Sequence, residues 1–320
     1  MRLFVTGGAG FIGSNFVRHI LATSDDSVTV FDALTYAGNL DNLRDFDEDP
    51  RYAFIKGNVT DRDAVAAALE GHDVVVHFAA ESHVDRSIAS ADEFVHTNCD
   101  GTNVMCDVAR RTGVQRFVHI STDEVYGSIG KGSFTEADPL QPRSPYSASK
   151  AGSDLIALAY HETHGLPVVV TRSSNNFGPY QYPEKLIPLF VTNLLDGIKV
   201  PLYGDGLNVR DWCFVEDNCG GLDRVLRAGQ DGEIYNIGAG NEVANRALTE
   251  TVLEIMGAGE DMIEYVPDRL GHDRRYSVDT TKTRTLGWTP RREFRGALET
   301  TIAWYRDNRW WWEPLKTHDG

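Results

Sequence analysis

Unbroken apolar runs, rather than alternating ones, recur along the first half of this chain. Leu3-Phe4-Val5, the stretch from Val28 to Phe31, and the runs at 74–78, 117–120 and 168–171 each place several apolar residues in succession. A strand wetted on one side alternates, whereas a strand covered on both faces has no such need. Between the runs, apolar residues return at helical spacing up to about Ala22, and again at 62–70, 93–111 and 146–164. This order predicts an α/β fold built on a doubly wound parallel sheet. After Arg172 the texture changes. Proline and aromatic residues gather in Phe177-Gly178-Pro179-Tyr180-Gln181-Tyr182-Pro183 and around Pro188 and Pro201, while Glu233-Ile234-Tyr235-Asn236-Ile237 reads as a strand returning to the sheet. Residues 244–257 and 292–306 read as helices. The pattern predicts one domain over 1–174 with return segments near 211–240, and an interleaved, smaller C-terminal lobe over 175–320.

Glycine spacing gives the first run a purpose. Gly7, Gly10 and Gly13 follow it and open the first helix, which is the setting a dinucleotide fingerprint requires: a tight turn, close backbone approach to a pyrophosphate, and a helix N-terminus facing the charge. Asp32 ends the second run, 19 residues beyond Gly13. Its carboxylate suits a ribose 2′-hydroxyl and repels a 2′-phosphate, so NAD is expected over NADP.

Tyr146 and Lys150 stand four apart and share a helical face. A phenol near its ordinary value of about 10 is a weak base at neutral pH unless positive charge lies close, and Lys150 and an oxidised nicotinamide are the expected sources. Thr122 ends the fifth strand with a hydroxyl suited to a substrate oxygen. The adjacent Asp123 and Glu124 distinguish this chain from a plain dehydrogenase, because a protonated carboxyl can serve a leaving hydroxyl while an ionised one removes a carbon-bound proton. Either acid singly could instead be a helix cap.

Bulk composition narrows the partners. The 320 residues are 41% hydrophobic with a formal net charge of −16, so no nucleic acid and no anionic membrane surface is expected as partner. Cys99, Cys106, Cys213 and Cys219 form no C-x-x-C pair and read as free thiols. No apolar run approaches the roughly 18 residues of a membrane span, and the sequence opens on a strand, so no signal segment is expected. A cytoplasmic protein is expected. His83 has no companions at metal-ligand spacing, so no metal is expected. Trp310-Trp311-Trp312 is expected to be a docked tail over core surface.

Long motifs then make the chain familiar. Ser121-Thr122-Asp123-Glu124-Val125-Tyr126-Gly127, Ala79-Ala80-Glu81-Ser82-His83-Val84-Asp85-Arg86-Ser87, Ser174-Asn175-Asn176-Phe177-Gly178-Pro179-Tyr180-Gln181 and Pro183-Glu184-Lys185-Leu186-Ile187-Pro188 resemble segments of the dTDP-glucose 4,6-dehydratases, within the extended short-chain dehydrogenase/reductase superfamily. The likeness runs from Met1 to about Tyr305. It implies that Tyr146 deprotonates the sugar 4-hydroxyl as NAD takes hydride from C4. Glu124 would then remove the C5 proton, Asp123 would protonate the departing 6-hydroxyl, and hydride would return to C6. The resemblance also implies cofactor contacts at Phe11, Ile12, Leu34, Thr35, Asn58, Val59, Phe78, Ala79, Ala80, Ser82, Thr97 and Asn176. It implies contacts to dTDP-glucose at Ser82, Thr122, Asn175, Lys185, Leu186, Pro201, Tyr203, Arg210, Asn245, Arg269 and His272, with Arg210 on the phosphates. Asn58 stands where the family carries an acidic residue. A homodimer through a four-helix interface, formed by the helices near 93–111 and after Tyr146, is implied too. The alternatives are a nucleotide-sugar 4-epimerase or another NDP-sugar 4,6-dehydratase; a 4-epimerase needs Tyr146, Lys150 and a hydroxyl but no adjacent acid pair. A non-catalytic NAD-sensing binder is a third reading, hard to square with the full Thr/Asp/Glu/Tyr/Lys set.

Overall fold

The computed structural model describes residues 1–268 and 271–316. Its strands run β1 (Arg2–Thr6), β2 (Ser27–Asp32), β3 (Tyr52–Lys56), β4 (Val74–His77), β5 (Arg116–Thr122), β6 (Val168–Ser173), β7 (Asn175–Phe177), β8 (Val200–Tyr203), β9 (Val209–Phe214), β10 (Ile234–Ile237), β11 (Glu242–Ala244) and β12 (Ile263–Val266). The helices are α1 (Phe11–Thr23), α2 (Arg62–Leu69), α3 (Val84–Ala89), α4 (Asp92–Val95), α5 (Gly101–Thr112), α6 (Pro145–His164), α7 (Leu186–Leu195), α8 (Val215–Ala228), α9 (Asn245–Met256), α10 (Thr281–Thr285), α11 (Phe294–Asp307) and α12 (Arg309–Trp312).

Seven strands form one parallel sheet in the order β10-β6-β5-β4-β1-β2-β3. Alternate residues of its apolar strands go to opposite faces. Leu3, Val5, Val28, Val30, Val74 and Val76 pack with Phe16 and Ile20 of α1 and with Leu222 and Val225 of α8. Phe4, Phe31, Val75, Phe117 and Val168 pack with Val65 of α2, Met105 and Val108 of α5, and Ala157 of α6. The predicted doubly wound sheet is therefore present. The strand order reverses between β1 and β4, which opens a crevice at the carboxyl ends of those strands.

Several elements escaped the periodicity, among them α3, α7, α8 and β9. Helix α8 contains Gly220 and Gly221, which weaken a helical reading. A Cβ on Gly221 would lie 3.0 Å from Ile237 Cγ2 and 3.1 Å from Trp288 Cε2, so the missing side chain lets α8 approach the sheet. Between α4 and α5, residues His96–Asp100 form one π-helical turn, a distortion that often marks functional positions.

The second lobe has its own core, in which Phe177, Phe190, Trp212 and Phe214 meet Leu248, Val252, Leu298, Ile302 and Tyr305. Small sheets β11-β9-β7 and β12-β8 frame it. The tail divides: Trp311 and Trp312 are buried in this core, whereas Trp310 is exposed and lies against the Arg44 guanidinium. Only two of the three tryptophans dock as expected. Phe177 and Cys213 are fully buried packing residues.

Candidate active site

The turn after β1 is shaped by what its glycines lack. Gly7 has φ of +68°, and a Cβ there would sit 2.6 Å from Ala79 N. A Cβ on Gly13 would come 2.3 Å from Gly7 O. With no side chains in the way, the turn closes against β4 and delivers Gly10 as the N-cap of α1, leaving helix N–H groups open to an anion. Asp32 is buried at the end of β2, where its two oxygens accept from Ala9 N at 3.0 Å and Leu34 N at 2.8 Å. Burial pushes its carboxyl above the ordinary range, and those two backbone bonds oppose the shift.

Helix α6 begins with a capping box between Ser144 and Ser147, with proline at its first position. This fixed start puts Tyr146 in the first turn and Lys150 one turn later. Lys150 is buried and its ammonium donates to Ile120 O at 2.7 Å. Burial brings Lys150 down to about 8, against the opposing charge of Asp154. Asp154 itself is buried between His119, at 3.3 Å, and Arg172, at 2.9 Å. The Tyr146 phenol is pushed well up, first by burial and then by the Glu124 charge, while a hydrogen bond with Thr122 opposes the rise. The Lys150 ammonium is thus held on a strand carbonyl, and burial is the largest influence on the Tyr146 phenol.

At the end of β5, Thr122 caps a short turn through Glu124 N at 3.2 Å. Asp123 is buried, and its carboxyl is raised well above the ordinary range by burial, then by the charges of Glu124 and Asp211, with Arg210 opposing. That direction favours the protonated form. Its Oδ2 is buried without a hydrogen-bond partner, which suits an acid whose partner is a ligand atom.

Thr122, Asp123, Glu124, Tyr146 and Lys150 all line one cavity together with Gly7, Gly10, Phe11, Ile12, Gly13, Asp32, Thr35, Asn58, Val59, Phe78, Ala79, Ala80, Ser82, Thr97 and Asn176. Leu34 does not line it. That residue adopts a positive φ of 54° and its side chain packs on the sheet core. A second cavity shares Ser82, Glu124, Asn175, Asn176 and Lys185 with the first and continues to Leu186, Pro201, Tyr203, Arg210, Asn245 and His272. Thr122 belongs to the first cavity and not the second. Arg269 lies outside the described residues. Arg210 is buried, bonded to Val209 O at 2.8 Å and Asp273 O at 2.9 Å, and stacked 4.2 Å from the Tyr276 ring centre. Among the described residues, no cluster of His, Cys, Asp or Glu is arranged to hold a metal ion.

Several lining residues were not foreseen: Tyr36, Asn42, Tyr180, Gln181, Trp311 and Leu315 in the first cavity, and Trp212 and Phe190 in the second. Beside the first, Asn98 of the π turn accepts from Glu81 N at 2.9 Å and donates to Glu81 O at 3.0 Å and Ser149 Oγ at 2.8 Å. It thereby clamps the segment after β4. No spacing signal marks such residues, because each acts through a contact distant in sequence.

The first cavity has the turn, the helix terminus and the acid that a dinucleotide needs, and the second adds a buried cation for a phosphate-bearing ligand. Comparison with known proteins agrees with this architecture. The family model for GDP-mannose 4,6 dehydratase matches residues 4–301. A dTDP-glucose 4,6-dehydratase of Streptomyces niveus is 56% identical, with 100% of this chain and 97% of that protein covered. One from Streptomyces antibioticus is 57% identical over 99% of this chain and 96% of that protein. The crystal structure of DesIV, the dTDP-glucose 4,6-dehydratase of Streptomyces venezuelae solved with NAD bound, superposes with a TM-score of 0.97 at 57% identity, covering 99% of this chain and 100% of that one. With two cavities meeting at an acid pair and relatives alike along their whole length, this chain belongs to the dTDP-glucose 4,6-dehydratase family.

Proposed function

We propose that this chain converts dTDP-glucose to dTDP-4-keto-6-deoxyglucose, as an NAD-dependent hydro-lyase that oxidises C4, expels water across C5–C6 and returns hydride to C6. The observation that carries this reading is the pairing of Asp123, buried with its Oδ2 unpartnered, with Glu124 beside Tyr146 in one cavity. NAD, when bound, supplies the hydride acceptor and donor together with a positive ring charge. The turn of Gly7, Gly10 and Gly13 would hold its pyrophosphate, Asp32 its adenosine ribose, and Lys150 its nicotinamide ribose.

Each side chain then has one task. Tyr146 takes the proton of the 4-hydroxyl, and Thr122 donates to the same oxygen. Burial and the Glu124 charge favour the neutral phenol, so the transfer calls for positive charge beside Tyr146 when substrate is bound. The new ketone acidifies the C5 proton, which Glu124 removes. Asp123 gives its proton to the leaving 6-hydroxyl, a transfer favoured by the carboxyl's resistance to ionisation. Arg210, already buried and oriented, meets the diphosphate of the nucleotide without further ordering cost. A 4-epimerase would have no use for the acid pair.

Residues 1–174 with the return at 211–240, apart from Trp212 and Phe214, whose side chains join the second core, form the cofactor domain in this reading, and the remainder holds the nucleotide sugar. Exposed Ile88, Val95 and Leu155, on α3, α4 and α6, support a homodimer through a four-helix interface. Four free cysteines fit the reducing cytoplasm, and no helix among the described residues is long and apolar enough to cross a membrane. Incubation with dTDP-glucose tests the function. Proton NMR should show a 6-methyl doublet and a 4-keto sugar; a galacto epimer, or unchanged substrate with NAD present, would overturn it.

A further inference from the structure

We propose that Trp311 and Asn42 form a strap that holds the dinucleotide-binding turn in place and so retains the cofactor between turnovers. This rests on the NAD reading above. Asn42 is buried and fully committed. Its Oδ1 accepts from the Trp311 indole N–H at 2.8 Å, and its Nδ2 donates to Ala9 O at 2.7 Å. Ala9 N in turn donates to Asp32 Oδ2 at 3.0 Å. Indole N–H only donates and a peptide carbonyl only accepts, so the Asn42 amide has one workable orientation. The tail is thus wired to the glycine turn and to the acid beside it.

The strap has a fixed far end. Arg309 donates to Leu195 O at 2.8 Å and Lys316 to Asp196 Oδ2 at 2.8 Å, both at the end of α7 in the second lobe. Trp311 packs edge-on to Trp304 and Tyr180, and both Trp311 and Leu315 line the first cavity. The segment therefore bridges the two lobes across the side of the cleft where the cofactor turn lies. A cofactor that is restored within each turnover gains nothing by leaving, and a tied turn slows its loss.

The test compares Trp311→Phe, Asn42→Ala and Trp304→Phe in the full chain. Trp311→Phe keeps a ring in the aromatic cluster but removes the indole donor to Asn42 Oδ1. Trp304→Phe disturbs the same cluster without touching the relay. Purified chains are loaded with NAD, passed through a desalting column, and assayed for bound NAD over time. Trp311→Phe and Asn42→Ala should lose NAD about tenfold faster than the parent, with Trp304→Phe unchanged. Melting temperatures without NAD identify the folded variants, and Asn42→Ala carries the test should Trp311→Phe not fold. Equal retention by Trp311→Phe and the parent overturns the strap. A parent that binds no NAD overturns the reading of the site instead.

Discussion

Lys150 Nζ is bonded to the carbonyl oxygen of Ile120 at 2.7 Å, a buried ammonium tied to the strand that ends in Thr122. Burial brings Lys150 to about 8 from an ordinary 10.5. The unfolded chain therefore binds more protons between about pH 8 and 10.5, so stability rises with pH through that window and the cost of burying the cation is complete below it. Lys150→Met should raise the melting temperature of the NAD-free chain at pH 7 by a few degrees, with the gain shrinking as pH approaches 10. Turnover should fall by at least about 100-fold. A thermal melt at each pH checks the first outcome and a product assay the second.

Asp123 carries the opposite sign. Its raised carboxyl, caused first by burial and then by Glu124 and Asp211, binds a proton more tightly in the folded chain. That contribution to stability is complete below the ordinary carboxylate value and is lost as pH rises toward the folded one. Asp123→Asn should match the parent at pH 4 and exceed it at pH 8 in urea unfolding. Product formation should drop about 10²- to 10⁴-fold, while C5 deuterium exchange into bound substrate persists. Loss of exchange in this variant would move the base role away from Glu124.

Gly13→Ala should cost about 1–3 kcal/mol and abolish NAD retention, because its Cβ would enter the Gly7 carbonyl. Gly130→Ala, with nothing within 4 Å of the added carbon, should fall within about 0.5 kcal/mol of the parent. Parallel melts with and without NAD separate the two.

Asn98→Leu should destabilise the chain by roughly 1–3 kcal/mol for each buried group it orphans, since Glu81 N and O both bond to that amide. Hydrogen exchange should rise at 80–82, beside the cofactor cavity. Unchanged protection there would mean that the π turn does not brace this segment.

What the sequence revealed was whatever acts through local spacing. Gly7, Gly10 and Gly13 with Asp32, and Tyr146 with Lys150, declare themselves because their partners are backbone turns or one helical face. The apolar runs declare the sheet because both of its faces are covered. Asn42 and Asn98 stayed silent, each being an ordinary polar residue until a contact from afar completes it, and Trp311 was legible as docked but not as part of the cavity lining. Helix α8 hid behind Gly220-Gly221, whose value lies in close packing on Ile237 and Trp288. Leu34 is off the cavity lining: its backbone N–H turns to Asp32 while its side chain packs on the sheet core.

The most direct test of an oxidation and reduction shared by a single retained NAD is the fate of the C4 hydrogen. dTDP-glucose deuterated at C4 is turned over by the NAD-loaded chain in ordinary water, with excess unlabelled NADH outside. Deuterium should appear at C6 of the same 4-keto-6-deoxy product, with solvent hydrogen at C5. Deuterium lost to the NADH pool, or kept at C4 of a galacto sugar, would contradict the account.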